Sequence, residues 1–582
     1  MAPMQTKRSV VPNYQETVSE PIQGTAIVII HPGSFYLRVG RASDTYPHII
    51  PHVIARKCKQ PLTTVVHRDP TLTFDVKLPQ ESENVLKSTC KCIGDVLASC
   101  ITSDGTPRRA TCAQEVLGYN VKVKAQAMKE SADFQWTRVD PQQQHVVGEE
   151  VFYLDPEEKF HVHWPIRRGQ LNLHSGTGGS LTAVLSDLET IWRTAIQQCL
   201  DISAKNFRHF RAVLLVPDAY NRQHVKEMVN LLLTRLGFGA CFVHQESVCA
   251  TFGAGLSYAC VVDVGDQKTS VSCVEDGISN RNSRLRMDYG GSDVTQIFHW
   301  LLRMSGFPYK QCDPKTTVDA LLLQQLKENF CHVNLDVNGP QSRSFRVKSP
   351  QQPSCQYSIK LGDECTIAAL SFLHPELLNL TGHKRTHAQQ RSHGDPEDPH
   401  DENYLRETSQ RRANRDNLDS SLQTAAEGLA EDGQLGSSQM DEDMGDAGDA
   451  AAAISARDGG DKDLQCDQLL SLDQAILQSI DRCGSDDMKR KMYSCILIVG
   501  GGIMFAGIHT WLRNRLSMQI PIMYRTEQID VITRPKDMDP RITCWKGAAV
   551  MSCLDTAQEL WIKQKEWTRN GVKVLRERAP FI

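Results

Sequence analysis
With 582 residues, the chain is longer than a single hydrophobic core supports, and its 65 Lys and Arg against 69 Asp and Glu leave a formal net charge of only −4. A global basic field is therefore excluded, and any nucleic-acid contact must come from a local patch. The 19 cysteines form no regular framework, which fits reduced thiols in cytosol or nucleus better than a secreted disulfide scaffold.

Met1 to Gln23 is polar and reads as a mobile extension. It contains no apolar leader, and every apolar run falls short of the ~20 residues a spanning helix needs, so no membrane association is expected. Next come two apolar runs, Ala26–Ile30 and Tyr36–Gly40, around the turn Pro32-Gly33-Ser34. This pattern predicts a β-hairpin whose tip offers backbone N–H groups and the Ser34 hydroxyl to a phosphate.

Residues 57–144 show little periodicity and read as a divergent insertion. Cys90, Cys92, Cys100 and Cys112 fall inside it, but their spacing lacks the paired C-x₂-C sets of a zinc site. Leu185, Leu188, Ile191, Trp192, Ala195, Ile196 and Cys199 then recur at three-to-four spacing, which predicts an amphipathic helix. Ala212–Pro217 reads as a buried strand and Val225–Leu236 as the helix after it.

A second hairpin repeats the first. Ala259–Val264 enters a turn at Gly265 and Asp266, and Lys268–Val274 leaves it. Asp263 and Asp266 at that turn suit a hydrated Mg²⁺, a hard cation that takes oxygen ligands and keeps several waters. One such hairpin is an ordinary tight turn. Two of them, one in each half, suggest a duplication whose halves face one cleft.

Residues 381–466 open basic and histidine-rich, close acidic, and have few aromatic or branched side chains, so they read as a disordered, charged insertion. An amphipathic helix through Leu469, Leu472, Ile476 and Ile480 leads to the run Ile496–Val499, the glycines Gly500, Gly501 and Gly502, and a helix at Ile508–Leu516. A strand entering consecutive glycines and then a helix brings bare backbone close to a nucleotide.

These ordered motifs resemble the actin family, within the larger fold shared with sugar kinases and heat-shock ATPases. The resemblance runs from Ile27 to Trp567. It implies an α/β, ribonuclease H-like duplicated, two-lobed ATPase fold with long insertions: a first lobe over 24–259 and a second over 260–582. The family's first phosphate loop resembles Gly33 to Gly40, with Arg38 at the usual lysine position; Ser34 and Phe35 fall within it. Its second resembles Asp263, Val264, Gly265 and Asp266. Its adenosine loop resembles Gly500, Gly501, Gly502, Met504 and Phe505. Lys327 and Glu328 match a pair that embraces adenine and ribose, and Arg541 matches a basic residue beside the base. Glu559–Trp567 resembles the family's closing helix. Implied cofactors are ATP and Mg²⁺, the metal held through water by Asp263 and Asp266.

The departures imply slow chemistry. Actins carry Asp-Asn-Gly-Ser-Gly at the first loop, where this chain has His31-Pro32-Gly33-Ser34-Phe35. Phe35 replaces a glycine where backbone passes close to phosphate. Gln245 matches the family's water-positioning glutamine, but the partner histidine is Ser270 here. Such groups contribute ~10²–10⁴-fold, so Gln245 reads as vestigial, and ATP binding with little turnover is expected.

The His-Pro-Gly-Ser loop, Ile49–Arg56 and the late acidic insertion most resemble the nuclear actin-related subunits of INO-family chromatin-remodelling complexes. That implies a nuclear scaffold role in transcription regulation, DNA repair and recombination. The implied partners are a helix of the remodelling ATPase, actin, a second actin-related protein, histones, and nucleosomal or linker DNA. Lys122, Lys124, Lys129 and the Arg411–Arg415 block are candidate DNA contacts. A filament-forming cytoskeletal ATPase is the competing expectation, and a small-molecule kinase of the same superfamily is a third.

Overall fold
The computed structural model describes residues 23–58, 78–128, 136–155, 159–349, 352–380, 382, 384–389, 468–525, 529–579 and 581. Residues 1–22 of the expected extension, most of the charged insertion, Lys129 and the Arg411–Arg415 block lie outside them.

Two sheets organise the chain. The first runs in the order Ile562–Lys563, Ala240–Gln245, Arg211–Val216, Ile27–Pro32, Tyr36–Arg41, His48–Pro51. The second runs Thr386–Ala388, Leu285–Met287, Thr269–Glu275, Tyr258–Val264, Cys495–Val499, Asp530–Ile532, with Ile278–Ser279 beside Thr269–Glu275. Each contains one predicted hairpin, and each hairpin's first strand lies parallel to a strand on its other side: Ile27–Pro32 against Arg211–Val216, Tyr258–Val264 against Cys495–Val499.

The duplication extends to individual bonds. His31 opposes Arg38 in the first hairpin as Asp263 opposes Ser270 in the second. Gly33 N–H donates to Tyr36 O at 2.9 Å, and Gly265 N–H donates to Lys268 O at 2.8 Å. The turns therefore place Gly33 and Gly265 alike, Ser34 and Asp266 alike, and Tyr36 and Lys268 alike.

An apolar layer joins the sheets. Ile27, Ile29, Val213 and Phe242 from one and Val261, Val274, Leu497 and Val499 from the other bury against the helices Glu246–Ala254 and Thr543–Ser552. Those two helices touch backbone to backbone: a Cβ at Gly253 would run into Thr543 O, and one at Gly547 into Cys249 O. The helix pair thus packs between the two sheets with no room for a side chain at either glycine.

The predicted helix at 185–199 is Leu181–Leu200. The Ser180 side chain accepts from Ala183 N–H at its start, as N-cap serines do, and left-handed Asp201 ends it. Its buried stripe is the expected one, apart from half-buried Cys199. The Glu559–Trp567 stretch is not one helix. It splits into a short turn, the edge strand Ile562–Lys563 paired with Ala240–Cys241, and the helix Gln564–Asn570, because Ile562 completes the sheet edge while Trp561 and Trp567 fill two separate cores.

Two expected boundaries shift. Residues 78–128 of the divergent insertion do not extend the first lobe. Helix Gln80–Ser99 buries Leu86, Ile93 and Leu97 against the second lobe's Glu364–Leu370 and Pro375–Leu378, and Gln126–Ala127 adds a strand to the hairpin Gln341–Ser349/Gln352–Leu361. Nor does the charged insertion begin at 381. Thr386–Ala388 pairs with Leu285–Met287, Lys384 is buried in an ion pair with Asp293, and His387 Nε2 lies 2.8 Å from Asp288 Oδ2. Buried polar partners hold this stretch in the sheet despite its hydrophilic composition. Among the described residues no helix is long and apolar enough to cross a membrane.

Candidate functional site
The hairpin tips and the glycine loop meet in a cleft of about 640 Å³, within the size range of nucleotide and cofactor sites. Of the residues singled out from sequence, Gly33, Ser34, Phe35, Arg38, Asp263, Gly265, Asp266, Lys327, Glu328, Gly500, Gly501, Gly502, Met504, Phe505 and Arg541 all line it. Val264 lies just behind the wall: its carbonyl accepts from Gly502 N–H at 2.8 Å. Gln245 does not reach the cleft. It is buried, and its Nε2 donates to Asp218 O at 3.4 Å.

Local geometry explains the glycines. Gly500, at φ +91°, is in the left-handed region, and a Cβ there would strike Val264 O. A Cβ at Gly502 would strike Gly265 O. The glycine loop is thus laid directly on the second hairpin's turn. Gly500 N–H donates to Pro540 O at 2.9 Å, which pins the loop beside Arg541. Arg541 is held by Asp539, with Nη2 2.6 Å from Oδ2, and its stem covers Gly501.

Phe35 does not project into the phosphate side of the cleft. Its ring stacks on Phe152 at 5.8 Å and packs on Trp164 at 5.3 Å, in a small core with Val53, Ala55 and Val146. Only its backbone stands where actin's glycine would. Replacing that glycine therefore anchors the turn to the small sheet His145–Val147/Ile54–Lys57/Phe160–His163 rather than filling the cleft.

Cations converge on the cleft from separate elements. Arg38 Nε is buried without a hydrogen-bond partner among the described residues, as expected of a donor whose acceptor is a ligand. Lys327, on helix Thr317–Phe330, donates to Gly291 O at 2.9 Å. Burial pulls its ammonium below its ordinary range while Asp266 and Glu328 oppose that. A bound polyanion would relieve both side chains, so the residues present fit a nucleotide triphosphate.

The strongest cluster centres on Lys268, a residue that the sequence pattern alone does not mark as part of the site. Lys268 Nζ is buried 2.5 Å from Glu246 Oε2 and 2.8 Å from Asp263 Oδ2, with Ser270 Oγ at 3.4 Å. Glu246 Oε1 faces His31 Nε2 at 3.1 Å. Burial alone would lower the Lys268 ammonium, but Asp263 and Glu246 outweigh it and raise it above its ordinary range. Burial pushes the Glu246 carboxyl up, and Lys268 and His31 outweigh that and hold it down. The hairpin alignment places Lys268 at the turn position equivalent to Tyr36, and both residues line the cleft.

Of the two carboxylates expected to hold a hydrated Mg²⁺, both line the cleft, and Asp263 already has a cationic partner. The Asp263 carboxylate is engaged by an ammonium, and the matching position of the first hairpin is the imidazole of His31. Among the described residues no three His, Cys, Asp or Glu side chains converge as a metal site.

Comparison with known proteins gives one answer. The actin family model matches residues 22–580. Actin-related protein 8 of Salmo salar is 47% identical, covering 96% of this chain and 92% of its own length. That of Aedes aegypti is 46% identical, covering 98% and 100%. Among solved structures, human actin-related protein Arp8 in its ATP-bound state superposes with a TM-score of 0.79 at 42% identity, covering 98% of this chain and 99% of that one.

Proposed function
The chain belongs to the actin family, with actin-related protein 8 relatives along nearly its full length, and from that premise we propose that it is a nuclear, non-polymerising scaffold subunit of an ATP-dependent chromatin-remodelling complex that keeps ATP as a structural ligand. The observation that carries the nucleotide half is the cleft itself: Arg38, Lys327 and the glycine loop are disposed for a polyanion. The ATP-bound state of the human relative supports the same ligand.

Slow turnover is supported by the groups around the hairpins. A general base or water-positioning group must be within hydrogen-bond reach of the attacking water. Gln245 is buried on Asp218 O and is not among the residues lining the cleft, Ser270 stands where actins have histidine, and Lys268 holds the nearby carboxylates. A retained ligand still has a use. Binding only the folded state stabilises it by ~2.7 kcal/mol when ligand exceeds Kd a hundredfold.

The scaffold half rests on relationship. Its partners are a helix of the remodelling ATPase, actin and a second actin-related protein, together with histones and nucleosomal or linker DNA. Lys122 and Lys124 are exposed on the part of the insertion that docks on the second lobe, where a DNA phosphate can reach them. Affinity purification from nuclei tests this half: remodeller subunits should co-purify, and their absence would refute it. Sedimentation in polymerising salt separates it from the filament-forming alternative. DNA affinity should fall steeply with salt, and a flat response would remove the DNA contact.

A further inference from the structure
We infer that Lys268 takes the place of the divalent cation in this cleft, so that the chain holds ATP without a metal. The inference rests on the nucleotide reading of the cleft and concerns how the ligand's charge is met. Three features of the chain argue for it.

The ammonium sits on Asp263, one of the two carboxylates expected to hold the hydrated cation, the other being Asp266 in the same cleft. Asp263 Oδ2, Glu246 Oε2 and Ser270 Oγ surround Nζ at 2.8, 2.5 and 3.4 Å. Mg²⁺ bound through water to Asp263 would have to displace or approach a buried positive charge, and like charges so close in a low-dielectric site repel strongly. An ammonium offsets one of the two carboxylate charges it touches and so lessens their repulsion of the ligand's phosphates.

The donor chemistry opposite is also wrong for the metal. Mg²⁺ takes carboxylate, phosphate and water oxygens in near-octahedral geometry. The first hairpin presents His31 at the position that matches Asp263. Its Nε2 is spent on Glu246 Oε1, and imidazole suits softer metals than magnesium. Glu246 therefore bridges two basic side chains, one from each hairpin.

The lysine is accommodated by design of its surroundings. Its stem runs over Gly169, at φ +74° in the turn between Ile166–Arg167 and Gln170–Leu171. A Cβ on Gly169 would stand 2.8 Å from Lys268 Cδ and 3.3 Å from Cε. The turn conformation and the lysine's path both require glycine there. The cation is part of the packed fold, not a surface side chain that happens to point inward.

The test is ATP binding by the full-length, nucleotide-stripped chain, titrated by calorimetry with Mg²⁺ and again with EDTA in its place. The inference predicts dissociation constants that agree within about twofold. Weakening by about tenfold or more in EDTA would overturn it while leaving the nucleotide reading intact. No binding in either buffer would overturn the nucleotide reading and this inference together. Lys268→Met supplies the second arm: it should bind about tenfold more weakly in EDTA than with Mg²⁺. Metal-independent binding by that variant would overturn the assignment to Lys268. If the variant does not fold, the wild-type comparison decides.

Discussion
His52 Nδ1 lies 2.8 Å from the carbonyl oxygen of Gly33, and its Nε2 accepts from Trp192 Nε1 at 3.2 Å. The ring ties the first phosphate turn to the helix Leu181–Leu200 and satisfies both contacts only when neutral. Protonation would set a second N–H against that of Trp192. Burial pushes this histidine down to about 4, with the Gly33 bond opposing.

The sign of the resulting pH dependence follows. The unfolded chain binds the proton near pH ~6.5 and the folded chain only near pH ~4, so this contribution is present above ~6.5 and lost as pH falls toward ~4. Between about pH 7 and about pH 5 it amounts to about 2 kcal/mol. His52→Gln, which keeps a donor and an acceptor but does not titrate, should shrink the acid-induced loss by that amount in urea melts. An unchanged pH slope would contradict the assignment.

Arg38→Met separates ligand binding from folding. The guanidinium has a buried Nε without a partner, so the nucleotide-free chain loses no protein hydrogen bond there. Its melting temperature should stay level or rise. ATP affinity should fall about 10- to 100-fold, the usual value of a hydrogen bond to a charged group. A matched fall in apo stability, with affinity unchanged, would place Arg38 in the structure rather than the site.

Restoring the actin-like carboxylate should not restore turnover. His31→Asp would set a second acid beside Glu246 Oε1, 3.1 Å from the present imidazole. Losing one partner of a buried pair costs about 3 kcal/mol. We expect a lower melting temperature and weaker ATP binding, with no phosphate release above wild type. Multiple-turnover hydrolysis by this variant would show that His31 alone suppresses the reaction.

Asn120 pins the insertion to the second lobe. Its Nδ2 donates to Ser305 O and Lys360 O, both at 2.9 Å, and its Oδ1 accepts from Lys360 N–H at 2.8 Å. Asn120→Ala would strand these backbone groups and cost about 2–3 kcal/mol. Hydrogen exchange should quicken across 113–128 and 352–361 while the cleft strands stay protected. Uniform loss of protection throughout the chain would mean that the insertion is integral to global stability.

What was legible in the sequence was local. Each hairpin, the glycine loop and the helix after it declare themselves within a dozen residues, and their φ demands and apolar runs suffice to place them. The Lys268 cluster was not legible as a whole: Asp263 lies on the lysine's own hairpin, but Glu246 and His31 come from separate stretches that no local pattern joins. Helix Gln80–Ser99 escaped for a different reason. Its buried residues are only Leu86, Ile93 and Leu97, a narrow stripe, while Val85 and Val96 are exposed and blur the period. Its partner surface, moreover, is in the other lobe, which no local pattern announces. Thr386–Ala388 was hidden by composition: Lys384 and His387 read as solvated charge but find Asp293 and Asp288 in the fold.

The central claim is that the cleft retains an intact triphosphate. The most direct measurement is the identity of the nucleotide that the full-length chain carries after purification and after prolonged incubation with ATP, resolved by chromatography of the denatured complex. The account predicts near-stoichiometric ATP, unchanged with time. Steady conversion to ADP, or an empty cleft that takes up no nucleotide, would contradict it.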